Sequence, residues 1–171
     1  AKRHDLKKLT VASIPYRELD PATTNIMSLF QFMIGNLDWA ASSGPKEDGC
    51  CHNSRLIGAG NDAIPKYGVP YDFDSSGLVN AHYAAPPNQL KLRNVRQRLY
   101  RGFCSNNDQL PGSAALFREK KPEILALFKQ NHLLTDRTRK DAIDYLEEFY
   151  SILNNPKKFE KQITGKCRGK G

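Results

Sequence analysis

Asp20-Pro21 constrains this chain more than any other pair of residues. An aspartate can accept a backbone N–H at a helix N-cap, and proline has its φ already fixed for the first helical position. Ile26, Leu29, Phe30, Met33, Ile34 and Leu37 then recur at three- and four-residue steps, which predicts a helix with one buried face ending near Gly35. Such a face must be covered, so the rest of the chain has to supply a core. At roughly 150 residues per domain, 171 residues make one domain, 1–171, or one lobe of a larger protein. A chain of this size buries about two thirds of its unfolded surface. The 39% hydrophobic and 26% charged content exclude wholesale disorder. Apolar runs are short and the mean hydropathy is −0.60, so no membrane span is expected. The opening AKRHDLKK lacks the apolar centre of a signal peptide. With no Met at position 1, an upstream segment is expected to have been removed.

Around this helix the pattern reads as mainly α with a small β-hairpin. A short extended stretch is expected at Leu9–Ile14, and the polar loop AASSGPKEDG after Trp39 reads as exposed. Ser54–Ile57 reads as a strand, Gly58–Asp62 as a turn and Ile64–Phe73 as a second extended run. Beyond these, Asn94–Phe103 reads as a short basic helix. Ser113–Glu119 and Pro122–Gln130 read as two further helices, and Asp136–Leu153 as the longest. The apolar stripe of the last is Ile143, Leu146, Phe149, Tyr150 and Leu153. A final basic helix or tail follows Asn154-Asn155-Pro156.

The 26 Lys and Arg exceed the 18 Asp and Glu by 8, with a pI near 9.4. Basic residues displace counterions from phosphate backbones, but here they are spread along the chain. No helix-turn-helix, zinc-finger or RNA-binding signature accompanies them, so a nucleic-acid partner is not expected. Arg93, Arg96, Arg98 and Arg101 alternate with Leu92, Val95, Leu99 and Tyr100. Two readings stand: the solvated face of an amphipathic helix, or a site for an anionic ligand. The four cysteines are Cys50, Cys51, Cys104 and Cys167. Neighbouring cysteines rarely bond to each other, so a disulfide is expected to run from the 50–51 pair to Cys104 or Cys167, against the alternative of buried thiols. A disulfide would imply an exported, periplasmic or secreted, location.

Chemistry concentrates on Asp38, Asn53, Asp72 and Asp74. Hard cations such as magnesium take carboxylate and amide oxygens, one or two from protein and the rest from water and phosphates. Alternation in an extended Asp72-Phe73-Asp74 would put both carboxylates on one face and Phe73 in the core. Asp38, with Asn36 and Trp39 beside it, stands at a loop start where a carboxylate can take a proton from a hydroxyl. Each also has a structural reading as a cap or turn former, Asp74 before Ser-Ser-Gly above all. His52 beside two cysteines reads as a satisfied or exposed histidine.

The order of buried helix, Asp loop, Asn, strand pair and Asp-x-Asp resembles the C-terminal lobe of a protein kinase. Gly35-Asn36-Leu37-Asp38-Trp39, His52-Asn53-Ser54-Arg55-Leu56-Ile57 and Val69-Pro70-Tyr71-Asp72-Phe73-Asp74 are similar to the spore-coat CotH-type atypical kinases. The resemblance covers residues 20–80, a catalytic segment, and leaves 84–171 as a compatible helical subdomain. It implies Asp38 as catalytic base, Asn53 and Asp72 as ligands of Mg2+ or Mn2+, and Asp74 as an auxiliary ligand or turn former. ATP would be the donor, and a hydroxyl on a protein or small molecule the acceptor.

Two departures stand out. Fourteen residues separate Asp38 from Asn53, where the kinase signature has four, so AASSGPKEDGCCH is an insertion. A Gly-rich phosphate loop, a strand Lys and its Glu partner are missing, which implies the C-lobe of a longer protein, inactive or nearly so alone. Two alternatives remain: a metal-dependent glycosyltransferase using Asp-x-Asp, and a non-catalytic kinase-like module that binds polyanions through Arg93–Arg101.

Overall fold

The computed structural model describes residues 5–45 and 49–169. It is an α-dominant fold, 46% helical, with a small three-stranded antiparallel sheet. The elements are β1 (Lys7–Lys8), α1 (Pro21–Ile34), β2 (Ser54–Gly58), β3 (Tyr67–Pro70), α2 (Leu110–Lys129), α3 (Asp136–Leu153) and α4 (Pro156–Gln162), with short 3-10 turns between them. The sheet order is β1-β2-β3. Lys7 pairs with Gly58, and Ser54 through Ile57 pair with Pro70 back to Tyr67. The hairpin therefore gains a third strand at Lys7–Lys8. The expected Leu9–Ile14 stretch forms no strand, though Leu9 N donates to Leu56 O of β2 and Ser13 bridges Ser43.

α1 begins and ends where its caps dictate. Asp20 Oδ1 accepts from Thr23 N at 2.8 Å, and Gly35, at φ +65°, closes the helix by donating to Gln31 O and Phe32 O. A Cβ on Gly35 would lie 2.0 Å from the Tyr145 hydroxyl, so both backbone and packing require glycine there. The helix is buried nearly all round rather than on one face: Thr24, Asn25, Ser28 and Gln31 are as covered as Leu29 and Phe32. The cause is its position between two apolar clusters. Leu29, Phe32, Met33 and Ile34 meet α2 and α3 through Phe117, Leu146, Phe149 and Leu153, while Met27 meets Leu19, Trp39, Leu56 and Phe103 on the other side.

The helical half differs from the sequence reading in two places. Residues 110–129 form one helix of 20 residues, longer than α3 with 18, and it runs through Pro122. A proline inside a helix costs about 3 kcal/mol; burial of Phe117 and Leu125 on either side offsets it. Residues 94–103 form no helix. The reason is what their arginines do, described below. α3 keeps its expected stripe, with Leu146, Phe149, Tyr150 and Leu153 buried and Ile143 packed against them. α4 starts at Pro156 behind an Asn155 cap, whose Oδ1 accepts from Lys158 N at 3.0 Å.

The disulfides are also paired otherwise than expected. Cys104 bonds Cys167, and Cys50 bonds its neighbour Cys51. The helical half is thus closed on itself, because Cys104 and Cys167 already face each other across a main-chain pairing: Cys104 N donates to Arg168 O and Arg168 N to Gly102 O.

Candidate functional site

Asp38 stands just past the C-terminus of α1, and its main chain is set by Asn36, whose Oδ1 accepts from Asp38 N at 3.0 Å. Asn36 is itself 1% exposed, and its amide nitrogen lies 3.5 Å from Asp72 O. The fourteen residues after Asp38 form a loop whose ends meet. Ala40 N donates to His52 O and His52 N to Ser43 O, while Cys50 N donates to Val11 O. The first part of this loop is mixed: Ala41 is 2% exposed, while Ser43 and Pro45 are exposed as expected. Its remaining polar stretch at 46–48 lies outside the described residues.

Closing that loop brings His52 and Asn53 back to Asp38. His52 Nε2 is 2.7 Å from Asp38 Oδ1. Asn53 Nδ2 donates to the Asp38 carbonyl at 2.8 Å and to Oδ2 at 3.1 Å. Neighbours in a strand would point to opposite sides, but Asn53 has φ +48° and β2 begins only at Ser54, so both side chains reach one carboxylate. Asparagine is among the few residues that take this conformation readily.

The Asp-x-Asp segment lies beside them. Tyr71 N donates to Asn53 O, and Asp72 has φ +60°. β3 ends at Pro70, so the segment is a turn and not a strand. Phe73 still packs edge-on against Phe30 at 5.5 Å, and Asp72 and Asp74 are exposed. The Tyr83 hydroxyl donates to Asp74 Oδ2 at 2.9 Å and is the main cause holding the Asp74 carboxyl below its ordinary range. Beyond it, Gly77 N and Leu78 N donate to Gly35 O and Ile34 O, tying the segment to the end of α1.

Arginines that read as a solvated face complete this junction from inside. Arg101 Nη1 donates to Leu37 O at 2.5 Å and Trp39 O at 2.8 Å, so it grips the main chain on both sides of Asp38. Burial pushes its guanidinium down to about 10, still charged at neutral pH. Arg98 donates to Met33 O and Tyr145 O and to Glu148 Oε2. A helix over 94–103 would hold its own carbonyls and sweep these side chains round its surface; the irregular chain lets them point inward.

The four residues singled out from the sequence therefore fall in one region, with Asp38 and Asn53 in direct contact. His52 and Arg101 are the members that sequence reasoning missed. Adjacency to Asn53 was a usable signal for His52; for Arg101 there was none, because its role depends on a segment without periodic structure. Among the described residues no group of three or more His, Cys, Asp and Glu is placed to hold a metal ion, and no helix is long and apolar enough to cross a membrane. No protein-family model matches the chain, and comparison with curated proteins and with solved structures likewise returned no match.

Proposed function

We propose that the chain is the C-terminal lobe of an atypical kinase-like phosphotransferase, moving the γ-phosphoryl group of ATP to a hydroxyl acceptor with Mg2+ or Mn2+. The observation that carries this reading is the closed loop that sets Asn53 on Asp38 despite fourteen intervening residues. A long insertion that rejoins at this contact retains the Asp-to-Asn relationship that the short kinase loop makes by spacing alone.

Asp38 is the base. Its oxygens each receive one bond, from His52 and from Asn53, and a carboxylate oxygen has a second lone pair for a substrate hydroxyl. The proton passes to Asp38 as the acceptor oxygen bonds phosphorus and the bond to the departing diphosphate breaks. Asn53 spends its amide nitrogen on Asp38, so its oxygen is what it offers a cation. With the Asp72 and Asp74 carboxylates this is a sparse, hard-oxygen set, of the kind that holds Mg2+ already bound to phosphates. Bound metal and ATP would supply the phosphoryl group and neutralise charge at it. The phosphate cradle and its lysine would come from an upstream lobe. Two disulfides support an exported location.

The test is transfer from ATP with Mg2+ or Mn2+, assayed on this chain and on a form extended upstream. Transfer by the longer form, abolished by Asp72→Ala, is expected. No transfer by the longer form, or turnover unaffected by Asp72→Ala, overturns the assignment. A non-catalytic module is favoured by one observation, that Tyr83 already occupies Asp74. Polyanion binding through Arg93–Arg101 gains nothing from the structure, because Arg98 and Arg101 are committed inward.

A further inference from the structure

Two cavities share His52, the residue in contact with Asp38, and they differ in chemistry. One, of about 370 Å³, is lined by Asp38, Trp39, Pro87, Leu90 and Arg101 among others. The other, of about 220 Å³, is lined by Asn53, Arg55 and Tyr71 together with Cys51. His52 and Pro45 belong to both walls. Of these two, His52 alone also touches the carboxylate, with Nε2 2.7 Å from Asp38 Oδ1.

The charges are distributed unevenly. Among the described residues that line the larger cavity, one cation, Arg101, meets one carboxylate, Asp38, so their charges balance. Leu37, Pro87 and Leu90 give it apolar walls. An uncharged ligand with an apolar body fits this better than an ion does. Among the described residues that line the smaller cavity, Arg55 is the one with a permanent charge, and its guanidinium lies over the Tyr71 ring at 4.7 Å. A guanidinium fixed on an aromatic face presents its N–H edge as a fork for phosphate oxygens.

We propose that His52 is a positioning residue and the partition of a two-compartment site. It holds Asp38 at the boundary between an anion compartment at Asn53, Arg55 and Tyr71 and a compartment for an uncharged, hydroxyl-bearing ligand at Trp39, Leu90 and Arg101. The naming of these as donor and acceptor sides rests on the phosphotransfer reading; the division itself rests on the cavities. Phosphate then enters on the Asn53 side, the hydroxyl enters on the other, and the base stands where they meet.

The experiment is NMR titration of this chain with two probes, pyrophosphate and cyclohexanol, in the wild type, His52→Gln and His52→Ala. Pyrophosphate is expected to shift the Arg55 and Asn53 side-chain signals and leave the Leu90 methyls and Trp39 indole unmoved; cyclohexanol should do the reverse. Arg55→Ala should weaken pyrophosphate about tenfold, the scale of one charge-assisted contact. In His52→Ala each probe should shift both sets of signals, while His52→Gln, which keeps an N–H donor toward Asp38, should restore the separation. A merely structural histidine would change melting without changing which signals each probe moves. The proposal is overturned if either probe moves both sets in the wild type, if neither set responds, or if His52→Ala leaves the separation intact. Separation without phosphate transfer by the extended form would sink the phosphotransferase reading and leave the partition standing; transfer without separation would do the opposite.

Discussion

Arg98 lies against Tyr145, its guanidinium carbon 3.6 Å from the ring centroid, and from there it donates to the Met33 carbonyl at the end of α1. Its side chain is only 3% exposed, and its third partner is Glu148 at 2.7 Å. One side chain thus joins the end of α1 to α3. Arg98→Ala removes the stacked cation and strands buried carbonyls, so it should cost about 3 kcal/mol in urea unfolding. Arg98→Lys should recover little of this, because an ammonium can neither stack as a plane nor fork between two carbonyls. Full recovery by lysine would show that charge alone matters there.

The Cys104–Cys167 bond closes a loop with a sequence separation of 63. Constraining the unfolded chain over that length is worth about 4 kcal/mol in the chain-entropy model. Cys104→Ser combined with Cys167→Ser should lower unfolding stability by that order, with the Phe103 to Arg168 bridge loosening first in hydrogen exchange. A loss below about 1 kcal/mol would mean that the main-chain pairing suffices without the bond.

Tyr150 is 1% exposed, and its hydroxyl has no hydrogen-bond partner among the described residues. Burial pushes it up to about 12. The unfolded chain releases this proton near pH 10 and the folded chain keeps it, so the group's contribution is complete below pH 10 and is lost as pH rises toward 12. Arg101, pushed down by burial, acts with the opposite sign over that range, so a variant is needed to isolate the tyrosine. Tyr150→Phe should be close to neutral at pH 8 and should flatten the alkaline loss, read from urea midpoints at pH 8 and 11. An unchanged alkaline slope would remove Tyr150 from the account.

Asn53 serves Asp38 through its amide and the turn through its φ of +48°. Asn53→Ala should lose about 2 kcal/mol, from broken bonds and a strained backbone together. Asn53→Gly should recover the backbone share alone. Equal losses in the two variants, measured by thermal unfolding, would assign the whole effect to the side chain.

Residue periodicity and caps were enough to place α1, β2 and α3, because each rests on local signals: Asp20-Pro21 and Gly35, the run from Ser54, and the stripe of Leu146, Phe149 and Leu153; they left the segment after Pro156 open between helix and tail. They also singled out Asp38, Asn53, Asp72 and Asp74. Those same signals misread 94–103, where arginines at helical spacing look like a solvated face. They misread Pro122, whose cost is met by core packing on both sides, and the cysteines, whose partners depend on which strands of chain lie together. Only the tertiary structure decided that a fourteen-residue loop returns His52 and Asn53 to Asp38, and that Arg101 holds the main chain on either side of it. Periodicity reports which face of an element is apolar; it carries no information about buried polar contacts between segments far apart in the chain, and those are what assemble this site.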